Sequence, residues 1–180
     1  MISNRDTNLV WVDCEFTGLD ARQNKITEIA CLVTNKNLDI IAEGPELIIN
    51  QPREAFDTTN PFIIENFLNT GFIDKVVASP YNEKLAEGEV LDFIKQHVSE
   101  KSSPLCGNSV YMDRLFIINY MPLLDSYLHY RLLDVSSIKI LAHSWYSELP
   151  KFEKKETHRA MDDIRESIEE LKYYRSHIFK

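Results

Sequence analysis

The sequence predicts an α/β fold in which a central mixed sheet of five strands is flanked by α-helices. Three observations lead there. The N-terminal part holds three runs rich in strand-forming residues, separated by short polar turns. Further on, the apolar residues recur at helical spacing. Two short apolar runs, Leu105-Cys106-Gly107 and Leu132-Leu133-Asp134, interrupt that helical stretch as the parallel strands of crossover units do.

Taken in order, Leu9 to Glu15 is the first strand, and its apolar content suggests a central position covered on both faces. Ile26 to Thr34 and Leu38 to Ile49 follow after turns too short for a crossover, so the three form an antiparallel meander. Leu85 to Val98 is helical, with Val90, Leu91, Ile94 and Val98 on one side. The next helix covers Asp113 to Met121 and stops near Pro122, since proline cannot continue it. Ile138 to Trp145 is a third helix. In the last one, Ala160, Ile164, Ile168, Leu171, Tyr174 and Ile178 form one apolar stripe at about 100° per residue. Thr157 or a neighbour is expected to cap it.

Composition bounds the partners. At 180 residues and 44% hydrophobic, without a long Gly, Ser or Pro tract, the chain can bury one core, so residues 1–180 are expected to form a single domain. Cys14, Cys31 and Cys106 lack C-x-x-C spacing and fall in expected strands, which suits reduced core thiols and a cytoplasmic protein. No spanning segment or targeting signal is visible, so no membrane partner is expected. The net charge of −8 and the lack of a basic stripe argue against binding long nucleic acid, because that affinity comes from many Lys and Arg contacts to phosphate. An acidic protein can still process a nucleic acid if metals supply positive charge locally and the substrate is short. Aromatic groups such as Tyr127, Tyr130, Trp145 and Tyr146 suit core or interface better than a nucleotide platform.

Five residues from three stretches, Asp13 and Glu15, Asp113, then His158 and Asp163, make a set suited to two-metal phosphodiester chemistry. Acid-x-acid spacing alone is weak, since 28 acidic residues in 180 give roughly four such pairs by chance. Context distinguishes Asp13 and Glu15. They share one face of a strand whose burial makes unpaired charge costly, and a bound cation would offset that cost. The turn Thr17-Gly18-Leu19-Asp20 puts them at the carboxyl end of the strand, where open α/β sheets place ligands. In the last helix Asp162 lies opposite the apolar stripe and Asp163 at its edge, which makes Asp163 the ligand candidate. His158 is expected on the loop before that helix, where an imidazole, with an ordinary pKa of about 6.5, can accept a proton from an attacking water. Asp113 falls in the first turns of its helix, where composition alone leaves it an acid serving the helix dipole.

The segments Asp13-Cys14-Glu15-Phe16-Thr17-Gly18-Leu19, Asn108-Ser109-Val110 with Asp113-Arg114, and His158-Arg159-Ala160 with Asp163-Ile164-Arg165-Glu166-Ser167 resemble the three exonuclease motifs of the DEDDh superfamily. Met121-Pro122, His129-Tyr130-Arg131 and Leu133-Asp134-Val135-Ser136 extend the likeness to the oligoribonuclease family in particular. The resemblance covers nearly the whole chain. It implies an RNase H-like fold and 3′-to-5′ removal of nucleotides from very short single-stranded RNA, dinucleotides included. It further implies that Asp13, Glu15, Asp113 and Asp163 hold two Mg²⁺ or Mn²⁺ ions and that His158 is the general base. Leu19 matches a residue that wedges against the terminal bases, while Ser109, Tyr130, Arg131 and Ser136 match residues around the substrate's 5′ end. In that family the tyrosine equivalent to Tyr130 reaches the site from the other subunit, so an active homodimer is implied. Phe62 and Phe67 depart from the pattern, standing where bacterial members usually have tryptophan and histidine. Two other readings stay open: a DNA-directed DEDDh enzyme, and a binding module that kept the fold without the chemistry.

Overall fold

A computed structural model describes residues 4–57, 59, 64–65, 70–153 and 159–179. Five strands, β1 (Leu9–Phe16), β2 (Ile26–Thr34), β3 (Ile40–Ile48), β4 (Leu105–Gly107) and β5 (Leu132–Asp134), form one sheet in the order β3-β2-β1-β4-β5. The β1–β2 and β2–β3 pairs are antiparallel, and β1–β4 and β4–β5 are parallel. The sheet is therefore mixed and five-stranded, as expected, with β1 at its centre. Among the described residues the helices are α1 (Phe72–Ala78), α2 (Glu83–His97), α3 (Tyr111–Tyr120), α4 (Pro122–Tyr127), α5 (Val135–Trp145) and α6 (Ala160–Ile178).

Helix starts shift by a few residues from the apolar pattern because single side chains cap them. Asn82 Oδ1 accepts from Leu85 N at 2.9 Å and starts α2 two residues before Leu85. Asp134 accepts from Ser136 N and starts α5 at Val135 instead of Ile138. Pro122 does not only stop α3; it also opens α4 at a first-turn position that needs no N–H. Arg159 occupies the N-cap position of α6 without a side-chain capping bond, its guanidinium being drawn to Glu28 and Glu46 in the sheet. Thr157 and His158 lie outside the described residues.

The alternation of β1 feeds two cores. Val10, Val12 and Cys14 point toward α2 and α3, packing with Val90, Ile94, Phe116 and Ile117. Trp11 points to the other face, with Ala30 and Leu32 beneath Ile164, Ile168 and Tyr174 of α6. The α6 stripe is buried from Ala160 through Tyr174, and Ile178 is partly buried. All three cysteines are buried and free. Trp11 is fully buried, and its Nε1 donates to Thr34 Oγ1 at 3.0 Å. Trp11→Ala should cost about 3–5 kcal/mol, seen as a lower urea midpoint, because it opens a cavity and removes the Thr34 partner.

Candidate active site

Strand β1 outruns its parallel neighbour: its last pairing with β4 is Trp11 with Cys106, and Asp13 and Glu15 lie beyond it. Where β4 no longer supplies a carbonyl, Asp113 does the same job, its Oδ1 accepting from Cys14 N at 2.9 Å. This brings the first turn of α3 onto the carboxyl end of β1. From the opposite layer α6 brings Asp163, so that Asp13, Glu15 and Asp163 each offer an oxygen, all within 4.8 Å of one another. Asp162 turns outward and pairs with Arg165 at 3.1 Å.

The electrostatics of this corner are unfavourable without a cation. The Glu15 acid is pushed up to about 8, first by burial and then by Asp13, Glu28 and Asp163, with Arg159 opposing. Burial and then Asp13 also hold the Asp113 carboxyl well above the usual range, against the Cys14 amide. The regular antiparallel register sets Glu15 directly opposite Glu28 on β2, a like-charge pair that weakens a ladder, and a β-bulge follows between Glu15 and Phe16. Glu28 is fully buried, and Arg159 relieves it with an N–O distance of 2.9 Å, reaching Glu46 at 3.1 Å as well. Burial nonetheless raises Glu28 to about 7. An all-oxygen donor set crowded with negative charge fits hard divalent ions such as Mg²⁺ or Mn²⁺.

That arrangement predicts a pH-dependent stability. Glu15 holds its proton more tightly folded than unfolded, so its favourable contribution is complete below about pH 4.5, where both states are protonated, and is lost as pH rises through about 8. Glu28 acts in the same direction through about 7. In EDTA the melting temperature should fall between pH 6 and pH 8.5, and Mn²⁺ should restore more of it at pH 8.5 than at pH 6. A flat profile in EDTA would contradict the crowding.

The residues expected around the substrate lie in three other places. Ser109 and Ser136 come together, their hydroxyls 3.1 Å apart. Ser109 has a left-handed backbone, φ 50°, held by its N–H donating to Asp134 Oδ1 and Ser136 Oγ, both at 2.9 Å. Tyr130 is 75% exposed, its ring stacked on His129, with the Arg131 guanidinium 5.4 Å from its centre. Leu19, 72% exposed, crowns the turn after β1. A Cβ on the preceding Gly18 would sit 2.6 Å from Asn24 Oδ1, so glycine is what allows Asn24 to accept from Asp20 N and close the turn. Phe16 stacks on Phe116 with ring centres 3.9 Å apart and so belongs to the core. His158, Phe62 and Phe67 fall outside the described residues.

Sequence reasoning passed over Glu28 and the supporting role of Arg159. The signal for Glu28 was the one used for Asp13 and Glu15, an acid inside an apolar strand.

An exonuclease family model, RNase T, matches residues 10–171. A protein from Drosophila melanogaster named probable oligoribonuclease is 46% identical over 179 residues, covering 97% of this chain and 84% of that one. An oligoribonuclease of Haemophilus ducreyi is 50% identical over 174 residues, covering 96% of this chain and 95% of that one. The chain belongs to the oligoribonuclease family. Solved structures agree on the fold of this family member. Exonuclease I from Methylocaldum szegediense superposes with a TM-score of 0.70 at 16% identity over 96% of this chain. E. coli exonuclease I in complex with a dA16 oligonucleotide gives 0.71 at 15% identity over 96%. This chain spans about two fifths of each, 41%. The fold is RNase H-like, and the protein is a nuclease of the exonuclease class. Among the described residues no helix is long and apolar enough to cross a membrane.

Proposed function

We propose that this oligoribonuclease-family exonuclease, as a single domain over residues 1–180, degrades dinucleotides and slightly longer single-stranded RNA to mononucleotides from the 3′ end. The observation that carries the reading is the convergence of Asp13, Glu15 and Asp163 at the carboxyl end of β1, with Asp113 against the same strand. Those four carboxylates would hold two Mg²⁺ or Mn²⁺ ions, which when bound would stabilise both the attacking and the departing oxygen of phosphodiester hydrolysis. The rest of the work falls to the chain. His158 takes the proton of the attacking water, as a histidine near neutrality can. Leu19, exposed on its closed turn, wedges against the terminal bases. Ser109, Ser136 and Arg131 receive the polar 5′ end of the substrate.

Tyr130 serves the site of a partner subunit in a homodimer. This is supported by the apolar side chains that α5 and its flanks leave at the surface: Leu132, Ile140, Leu141 and Trp145. A net charge of −8 supports short substrates over long ones. Buried free thiols fit a cytoplasmic location.

Incubation of 5′-labelled diribonucleotide with the protein and Mn²⁺ should release mononucleotides, faster than from the matching DNA dimer. Absence of product at micromolar enzyme would end the reading, and equal or faster cleavage of DNA would move the assignment to a DNA-directed enzyme.

A further inference from the structure

The two serines are wired to the carboxylate corner through one side chain. Asn108 Oδ1 accepts from Ser136 Oγ at 3.1 Å. On its other end, Asn108 Nδ2 donates to Ser167 Oγ at 2.8 Å and to Glu170 Oε2 at 3.0 Å. Ser167 in turn donates to the carbonyl oxygen of Asp163 at 2.8 Å. Ser167 and Glu170 are buried, and Glu170 is held further by Lys139 at 2.9 Å and by the Tyr174 hydroxyl at 3.1 Å. The path from the serine pair to the turn of Asp163 is thus continuous, and its inner members are shielded from water, where hydrogen bonds restrict geometry most.

The path also settles hydroxyl direction. Ser136 has one proton, and Asn108 Oδ1 takes it. Ser136 Oγ then faces Ser109 as an acceptor, which leaves the Ser109 hydroxyl as the donor that can swing to an incoming phosphate oxygen.

We propose that Asn108 is a positioning residue that fixes the Ser109–Ser136 pair relative to the Asp163 turn, so that a dinucleotide seated on the serines has its scissile phosphate delivered to the carboxylates. The assignment rests on the function proposed above. Neither end touches substrate through Asn108 itself; its effect passes through Ser136 on one side and Ser167 on the other.

The test uses two substrates. A 5′-phosphorylated diribonucleotide spans both the serines and the carboxylates, whereas a p-nitrophenyl ester of a nucleoside 5′-phosphate needs only the carboxylates. Asn108→Asp keeps the acceptor for Ser136 but turns a carboxylate oxygen toward Glu170. It should lower dinucleotide kcat/KM by about 10- to 100-fold, chiefly in kcat, while ester hydrolysis stays within about threefold. Adding Glu170→Gln, whose amide can donate to the new carboxylate, should restore most of the loss. Ser167→Ala cuts the path on its far side and should give the same split between substrates, which decides the matter if Asn108→Asp melts out. Unchanged dinucleotide turnover, a parallel loss on both substrates, or no recovery in the double variant would each overturn the proposal. Wild-type protein that cleaves the ester but not the dinucleotide would instead sink the function it rests on, and the proposal with it.

Discussion

Asp163→Ala is expected to lower dinucleotide turnover by about a thousand-fold or more, while Asp162→Ala, one residue away, keeps the fold and most of the activity. The two side chains start from adjacent positions in the first turn of α6 and separate by about 100° around the helix. Asp163 ends beside Asp13 and Glu15; Asp162 ends on Arg165 at the surface. Removing Asp163 takes an oxygen donor from a three-carboxylate group, whereas removing Asp162 costs one half-exposed ion pair worth well under about 1 kcal/mol. The comparison needs purified variants, matched circular dichroism and initial rates at saturating Mn²⁺. Loss of activity in Asp162→Ala with Asp163→Ala still active would reverse the assignment.

Asp113→Asn should do two opposite things. Asparagine keeps an oxygen to accept the Cys14 N–H, so the contact between α3 and β1 survives. What disappears is a buried acid crowded by Asp13. In EDTA at pH 8 the variant should therefore melt higher than the parent, by about 1–3 kcal/mol or several degrees. Turnover should fall by at least about a hundred-fold, because the group that cost stability is one that a cation would use. Adding Mn²⁺ should raise the melting temperature of the parent more than that of the variant. A variant that melts lower in EDTA would show that the hydrogen bonds the carboxylate accepts from the Cys14 amide, its own amide and the Cys14 thiol outweigh the crowding.

How far the sequence was legible depended on whether a feature is local or made by pairing. The runs Leu105-Cys106-Gly107 and Leu132-Leu133-Asp134 matched β4 and β5 because a short apolar run between helical stretches signals a parallel strand, whether buried like β4 or at the sheet edge like β5. Preference for Asp163 over Asp162 followed from helical phase, which needs no knowledge of the rest of the chain. The starts of α2 and α5 were missed because a cap is one hydrogen bond, and no period signals it. Glu28 opposite Glu15 could not be read, since no local pattern fixes the β1–β2 register that pairs them. The service of Asp113 to Cys14 was equally hidden, because it exists only where β1 extends past β4.

The carboxylate corner draws on β1, near the beginning of the sequence, and on α6, its last helix. While a nascent chain is still leaving the ribosome, Asp13 and Glu15 can be made and paired in the sheet long before Asp163 exists. Until α6 docks, the growing polypeptide lacks the Asp163 donor, so the three-carboxylate corner is complete only when the last helix is in place.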